Sequence, residues 1–218
     1  NFSHGDFSTH GAIIASLREQ ARLKGRRLAI MADLPGPKMR IGEITGEPVE
    51  LVPGAPFTLT TDDEPGNETS ASVTFAGLPK AVRPGDALFL NDGFIQLKVE
   101  SVAGNRVLCR VIVGGTLRSR KGLNLPGIDL GITAFTDRDR QCLRFALENG
   151  VDAVSQSFVE SASDIEAVRE AAKAMGRNPF IIAKIERSRA LDNIDGILKV
   201  ADGIMIARGD LGVEIPIE

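Results

Sequence analysis

The feature that most limits what this 218-residue chain can fold into is a change of rhythm along its length, and a change back. From Thr136 onward, helical stretches alternate with short apolar runs. Residues 136–149 read as a helix stopped at Gly150, 151–159 as an apolar run, 180–186 as a strand, 191–200 as a helix and 203–210 as a strand. Between them, Ser163-Asp-Ile-Glu166 reads as the capping box of another helix. Residues 8–40 share the rhythm: Ile14, Leu17 and Ala21 fall on one helical face, Gly25 stops the helix, and residues 28–34 are apolar. Strands alternating with helices of about 10–15 residues predict a parallel sheet covered by helices, either a barrel or a doubly wound sheet. Residues 41–135 differ. Short alternating runs at 49–51, 57–59, 88–90 and 107–113 are punctuated by turns at Arg83-Pro-Gly-Asp86, Asn91-Asp-Gly93 and Ala103-Gly-Asn105. This stretch predicts a small all-β domain inserted into the α/β part.

Composition sets the outer limits. With 43% apolar and 25% charged residues and a net charge of −3, the chain has the makings of a sizeable core, which excludes disorder and fibres. No apolar run approaches the ~18 residues of a membrane span, and the N-terminus lacks a signal layout. A cytoplasmic location without membrane partners is the expectation. Cys109 and Cys142 lack zinc-ligand neighbours and read as packed hydrophobes. The acidic balance and the absence of Trp and Tyr argue against nucleic acid as a partner. Neither His4 nor His10 has a ligand-spaced partner.

In parallel α/β architectures chemistry gathers where strands end. Asp33 closes one expected strand, Lys184 and Glu186 another, and Asp210 a third. Lys184 and Glu186 are two apart and so share a face. Two carboxylates from neighbouring strand ends, Glu186 and Asp210, suit Mg²⁺, with Lys184 as a point charge on a phosphoryl or enolate oxygen. The bland alternative is a structural salt bridge. Gly209, beside Asp210, permits close backbone approach to an anion. Asp33-Leu-Pro-Gly-Pro-Lys38-Met-Arg40 places Asp33, Lys38 and Arg40 within eight residues. No Gly-x-x-x-x-Gly-Lys or Gly-x-Gly-x-x-Gly loop occurs, so phosphate chemistry here would run on a metal and side-chain cations. The basic cluster Arg118-Ser-Arg-Lys121 reads as a solvated charge run, or as a phosphate contact if it lies at a hinge.

Taken in order, Asn1-Phe-Ser-His-Gly5, Asp33-Leu-Pro-Gly-Pro-Lys-Met-Arg40, Asn91-Asp-Gly93, Lys121-Gly-Leu-Asn-Leu-Pro-Gly127, Ala183-Lys-Ile-Glu186 and Asp202-Gly-Ile-Met-Ile-Ala-Arg-Gly-Asp-Leu-Gly-Val-Glu-Ile-Pro216 resemble the pyruvate kinase family. The resemblance implies a (β/α)₈ TIM barrel made by residues 1–40 and 136–218, incomplete here, with a β-barrel lid domain inserted at 41–135. It implies phosphoryl transfer from phosphoenolpyruvate to ADP, giving pyruvate and ATP, in a homo-tetramer when full-length. Glu186 and Asp210 would hold Mg²⁺ or Mn²⁺, and Lys184 would neutralise the phosphoryl group. Gly209 and Asp210 would offer N–H groups to the substrate carboxylate. Asn1, Ser3, Asp33 and the Leu34 carbonyl match a monovalent-cation site, Arg40, Lys121 and Asp92 match the nucleotide contacts, and Arg40 is also implied to act with Lys184 in catalysis. One departure stands out. Potassium-dependent members resembling this chain usually show Asp-Thr-Lys-Gly-Pro-Glu, whereas here Lys38 replaces the glutamate, so a tethered ammonium is expected to stand in for K⁺.

Two rivals remain open on sequence alone. A metal-dependent aldolase or lyase acting on a pyruvate enolate could use Glu186, Asp210 and Lys184 equally well. A non-enzymatic unit that binds RNA or a partner through the β domain is the other. Without residues 41–135, the α/β part is about half of the ~250 residues a (β/α)₈ barrel needs. The sequence therefore reads as a piece of a longer protein, expected to be inactive alone and to expose sheet edges.

Overall fold

The computed structural model describes residues 1–215, so Pro216, the last residue of the long C-terminal motif, lies outside the described residues. The chain begins with helix α1 (Phe7–Leu23), capped by the Asp6 side chain on the Thr9 N–H, and strand β1 (Met31–Leu34). A β-rich stretch follows, with β2 (Val49–Leu51), β3 (Pro56–Thr60), β4 (Ser70–Ser72), the short helix α2 (Leu78–Ala81), β5 (Ala87–Leu90), β6 (Ile95–Ala103), β7 (Arg106–Val113), β8 (Gly115–Leu117) and β9 (Leu123–Asn124). The α/β rhythm then resumes with α3 (Asp137–Glu148), β10 (Ala153–Gln156), α4 (Ala162–Ala174), β11 (Phe180–Ile185), α5 (Ser188–Asp192), α6 (Ile194–Val200), β12 (Gly203–Ile206) and α7 (Arg208–Glu214). Among the described residues two compact units result: residues 1–37 with 133–208, and residues 38–132 with 209–215.

In the first unit the strands run parallel in the order β1-β10-β11-β12. The order follows the chain without reversal, which is the winding of a (β/α)₈ barrel and not of a doubly wound sheet. Side chains alternate across this sheet. Ala32, Leu34, Val154, Ile181, Ala183 and Ile185 are buried, and the helices that cover the sheet bury Cys142, Leu143 and Ala146 from α3 and Ile165, Val168 and Ala172 from α4. Asp33, Ser155 and Lys184 occupy alternate positions on the opposite face, which is apolar at Met31 and Phe180 and carries its polar groups toward the C-terminal ends of the strands.

Three local expectations are corrected. The capping box of α4 is Ser161 with Asp164, not Ser163 with Glu166: the Asp164 carboxylate accepts from the N–H groups of Glu160 and Ser161. The helix expected over 191–200 is broken into α5 and α6 at Asn193, whose side chain donates to the carbonyls of Glu160 and Arg189. The strand expected over 203–210 ends at Ile206; beyond it buried Leu211 and Glu214 recur at helical spacing, so Asp210 sits in the first turn of α7.

In the second unit six strands pair in the order β4-β3-β7-β6-β5-β9, around a core that includes Phe57, Leu59, Leu88, Leu90, Ile95, Leu97, Val107 and Val111. The two outer edges are not left open. Residues 39–42 bond to both: Leu123 N–H to the Met39 carbonyl and Ile41 N–H to Lys121 on one side, Thr74 N–H to Arg40 and Gly42 N–H to Ser72 on the other. This short segment is the seam that closes the sheet. Cys109 is buried here and its thiol is pushed up to about 12, while burial also raises Cys142 in α3; both are unreactive packing groups.

At the N-terminal ends of the parallel strands one brace occurs twice. Asp152, just before β10, accepts from Ile30 N–H and from Arg18 of α1; Asp202, just before β12, accepts from Ile181 N–H and from Arg169 of α4. The Ile30 N–H and then Arg18 hold the Asp152 carboxyl below its ordinary range. For Asp202 partial burial pushes upward, but the Ile181 N–H and Arg169 outweigh it and the result is again a lowered value. Stability from such groups is complete above the unfolded aspartate value of about 3.9 and is lost as the pH falls through their folded values. Asp152→Asn and Asp202→Asn should therefore each flatten the acid limb of stability below about pH 4. The neutral-pH cost should be no more than about 1 kcal/mol each, because both ion pairs are partly solvated. Urea midpoints measured from pH 3 to 7 check this; an unchanged acid limb in the double variant would contradict it.

Candidate active site

The polar groups at the C-terminal ends of the parallel strands converge on one ammonium. Lys184, near the end of β11, places Nζ 2.9 Å from Glu186 Oε1, 3.2 Å from Asp33 Oδ1 and 2.9 Å from Ser157 Oγ. In-register pairing sets Asp33 of β1 beside Ser155 of β10, whose hydroxyl donates to Asp33 Oδ1 at 2.7 Å. Asn1 adds an amide donor to Asp33 Oδ2 at 3.0 Å, and its own carbonyl oxygen accepts the Ser3 N–H at 2.7 Å. The Leu34 side chain is buried on the helix-covered face, and its carbonyl accepts the Ser157 N–H at 3.3 Å. Two carboxylates against one ammonium leave this cluster with a net charge of −1, which attracts cations.

Glu186 is only 1% exposed, so its charge depends on these partners. Its second oxygen accepts the backbone N–H of Phe158 at 2.8 Å. Phe158 is in the left-handed region at φ 58, an unusual conformation for a large side chain, and this conformation brings its N–H onto Glu186. Burial pulls the Lys184 ammonium down, but Glu186 and then Asp33 outweigh it and hold its pKa above the ordinary lysine value. Lys184 is thus a fixed positive charge at neutral pH. After Lys184 and Phe158 are counted, each Glu186 oxygen still has a lone pair, and a hard carboxylate donor suits Mg²⁺ or Mn²⁺. Among the described residues no group of three or more His, Cys, Asp or Glu side chains lies together as a ready ligand set.

The remaining expected site residues fall elsewhere. Gly209 and Asp210 are the second and third residues of α7, and with Lys38, which is exposed, they belong to the second contact unit. In that unit Arg40, Lys121 and Asp92 surround Gly122. Arg40 forms a bridge with Gly122 and donates to the Arg120 carbonyl at 2.8 Å. Asn91 N–H bonds to the Gly122 carbonyl, in a turn where Asn91, Asp92 and Gly93 are all left-handed. The basic run there is partly neutralised, since Arg120 pairs with Glu43 and the Ser119 N–H bonds to Glu47. His10 is a packing residue, set edge-on to Phe2 and bonded to the His4 carbonyl.

Ser155, Ser157 and Phe158 were not singled out on sequence. The signal was there: Ser155-Gln-Ser157 places three consecutive polar residues inside the apolar run 151–159, and all three are buried.

The whole chain, residues 1–218, matches the family model described as pyruvate kinase, barrel domain. The chain belongs to the pyruvate kinase family. It is 50% identical over 218 residues to a pyruvate kinase of Thermococcus litoralis, with all of this chain and 46% of that protein covered. Pyruvate kinases of Thermotoga maritima, at 42%, and Corynebacterium glutamicum, at 41%, match over 218 residues as well, again with all of this chain and 47% and 46% of those proteins covered. The chain thus spans about half the length of the curated relatives it matches. Its fold is that of a partial (β/α)₈ barrel of this family, and the aldolase or lyase reading finds no support in these matches. No described helix is long and apolar enough to cross a membrane.

Gly36 gives this cluster a steric test. It is left-handed at φ 66, and a Cβ added to it would lie 2.9 Å from the Ser157 carbonyl oxygen and 3.0 Å from the Phe158 ring. Gly36→Ala should destabilise the first unit by about 1–3 kcal/mol, read from the denaturant midpoint. An unchanged midpoint would show that the 157–158 loop yields freely.

Proposed function

We propose that, in a polypeptide of its relatives' length, these residues catalyse Mg²⁺-dependent transfer of the phosphoryl group from phosphoenolpyruvate to ADP, giving pyruvate and ATP. The observation that carries the reading is the Lys184 ammonium, held by Asp33, Glu186 and Ser157 at the C-terminal ends of parallel strands. Phosphoryl transfer needs positioning and neutralisation of charge more than covalent help, and a pre-placed cation supplies both. Lys184 does this work as a charge placed by its two carboxylate partners.

In this reading Glu186 and Asp210 hold the divalent ion, Mg²⁺ or Mn²⁺, which when bound supplies positive charge to substrate oxygens. Gly209 and Asp210, in the first turn of α7, have N–H groups without intrahelical acceptors and take the substrate carboxylate. Arg40 and Lys121 take the nucleotide phosphates, with Asp92 beside them. Residues 41–135 act as a lid whose closure keeps water from the phosphoryl group, over a barrel to which 1–40 and 136–218 contribute. The full-length protein is read as a cytoplasmic homo-tetramer with no nucleic-acid or membrane partner.

The family generally uses Mg²⁺ and K⁺. Asn1, Ser3, Asp33 and the Leu34 carbonyl are assigned to the monovalent site, with the Lys38 ammonium in place of free K⁺. At fixed ionic strength the enzyme should show no saturable activation by K⁺, and Lys38→Glu should create one; a large activation of the unsubstituted enzyme would overturn the assignment.

Lys184→Met, in the full-length setting, should leave Mg²⁺ binding intact and lower kcat by at least 10²–10³-fold, the range for loss of one transition-state charge contact. ATP formation from phosphoenolpyruvate and ADP is the assay. Unchanged turnover in the variant, or no ATP from the unsubstituted enzyme, would refute the reading.

A further inference from the structure

The aspartates that complete the helix caps of α3 and α4 each have a second partner. Asp139 gives Oδ2 to its own helix start, where it accepts from Thr136 N–H and Oγ–H, and gives Oδ1 to the Gly36 N–H at 2.9 Å. Asp164 repeats the pattern: Oδ2 accepts from Glu160 and Ser161 N–H, and Oδ1 accepts the Ala134 N–H at 3.1 Å. Gly36 lies one residue inside the point where the chain leaves the first unit, and Ala134 one residue inside the point where it returns. Gln156 completes the set, since its amide Nε2 donates to the Ala134 carbonyl at 2.8 Å and to the Ser157 carbonyl at 3.0 Å. Asp139 and Gln156 are fully buried and Asp164 nearly so.

A cap alone needs one carboxylate oxygen. The second oxygen of each aspartate is spent on loop backbone thirty residues away or, for Asp139, more than a hundred. Both loop segments also lead to the site. Gly36 abuts the Ser157 carbonyl and the Phe158 ring, Ser157 Oγ accepts from Lys184, and Phe158 N–H donates to Glu186.

We infer that Asp139, Asp164 and Gln156 are positioning residues: they fasten the two stretches of the barrel unit that flank the 38–132 insertion, at Gly36 and Ala134, and, through Ser157 and Phe158, fix Lys184 and Glu186. Each aspartate thus divides its work, one oxygen serving the start of its helix and the other the loop backbone, so a cap can weaken while the loop contact stays. The effect on turnover rests on the phosphotransfer reading; the fastening does not.

The test separates fastening from capping. Thr136→Val and Ser161→Ala weaken the caps and leave the Asp139–Gly36 and Asp164–Ala134 bonds, whereas Gln156→Met removes the amide and touches neither cap. In the 218-residue chain, Gln156→Met is expected to speed amide exchange at Phe158 at least tenfold and to move its ¹⁵N shift, because its carbonyl partners Ala134 and Ser157 lose their donor. Asp139→Ala and Asp164→Ala should speed exchange of Gly36 and Ala134 respectively by a similar factor beyond any change in global stability. The cap variants should lower thermal stability without moving the Phe158 signal. In the full-length enzyme, Gln156→Met should lower kcat tenfold or more with little change in KM for phosphoenolpyruvate, as expected when the reacting groups are displaced and substrate binding is not. An unmoved Phe158 amide in Gln156→Met overturns the inference, as does a Phe158 shift of equal size in the cap variants. If the unsubstituted full-length protein makes no ATP, the phosphotransfer reading falls while the exchange comparison still decides the fastening.

Discussion

A carboxylate as deeply buried as that of Glu186 is tolerable only when its charge is answered on the spot, and the first unit is arranged around that answer. Moving an ion from water into a protein interior costs several kcal/mol even after relaxation. Lys184 provides the opposite charge, Phe158 bends into a left-handed conformation to provide an N–H, and Asp33 and Ser157 take up the remaining donors of the ammonium. Removing any one of these leaves a charged or polar group facing a dry interior. The same property makes the cluster a candidate for catalysis, because a field fixed in a low-dielectric site acts on a bound substrate without first reorganising.

Much of that cluster was legible in the sequence because it broke a pattern. A lysine and a glutamate two apart at the end of the apolar run 180–186 cannot both belong to a core, and Asp33 interrupts an apolar run in the same way. The helix at 136–149 was legible from its pattern and its stop at Gly150, while the capping box of Thr136 and Asp139 that opens it was not read. What the sequence hid were choices between near-equivalent local chemistries. Ser161 and Ser163 can each open a helix, with Asp164 and Glu166 each three residues on; tertiary demand for an acceptor near Ala134 selects the first pair. Asn193 is an unremarkable surface residue on a helical wheel, and only its bonds to distant and local carbonyls explain the break there. Phe158 gave no hint at all, because nothing in a phenylalanine announces a left-handed backbone.

The two ends of the parallel strands carry different kinds of polar group. At the N-terminal ends the repeated braces, Arg18 with Asp152 and Arg169 with Asp202, tie a helix, a strand and the next strand together in the same way one repeat apart. They are partly solvated and locally satisfied. At the C-terminal ends the groups are more buried and drawn from several elements at once. This division lets substitutions on one face tune stability while leaving the chemistry on the other untouched, which is the general advantage of the barrel architecture.

The seam that closes the β-rich unit has an architectural consequence. Because residues 39–42 bond directly to residues 120–123, the segment that opens the β-rich stretch lies beside the last strand of its sheet, with the Met39 carbonyl on the Leu123 N–H. A module whose first and last sheet segments already pair asks little of its host in span: it can be acquired, lost or exchanged at a loop between a strand and a helix without stretching the barrel around it. The insertion is therefore built as a graft, self-closed before it is attached, and a host lineage could vary its size and surface while the parallel strands beneath kept their register.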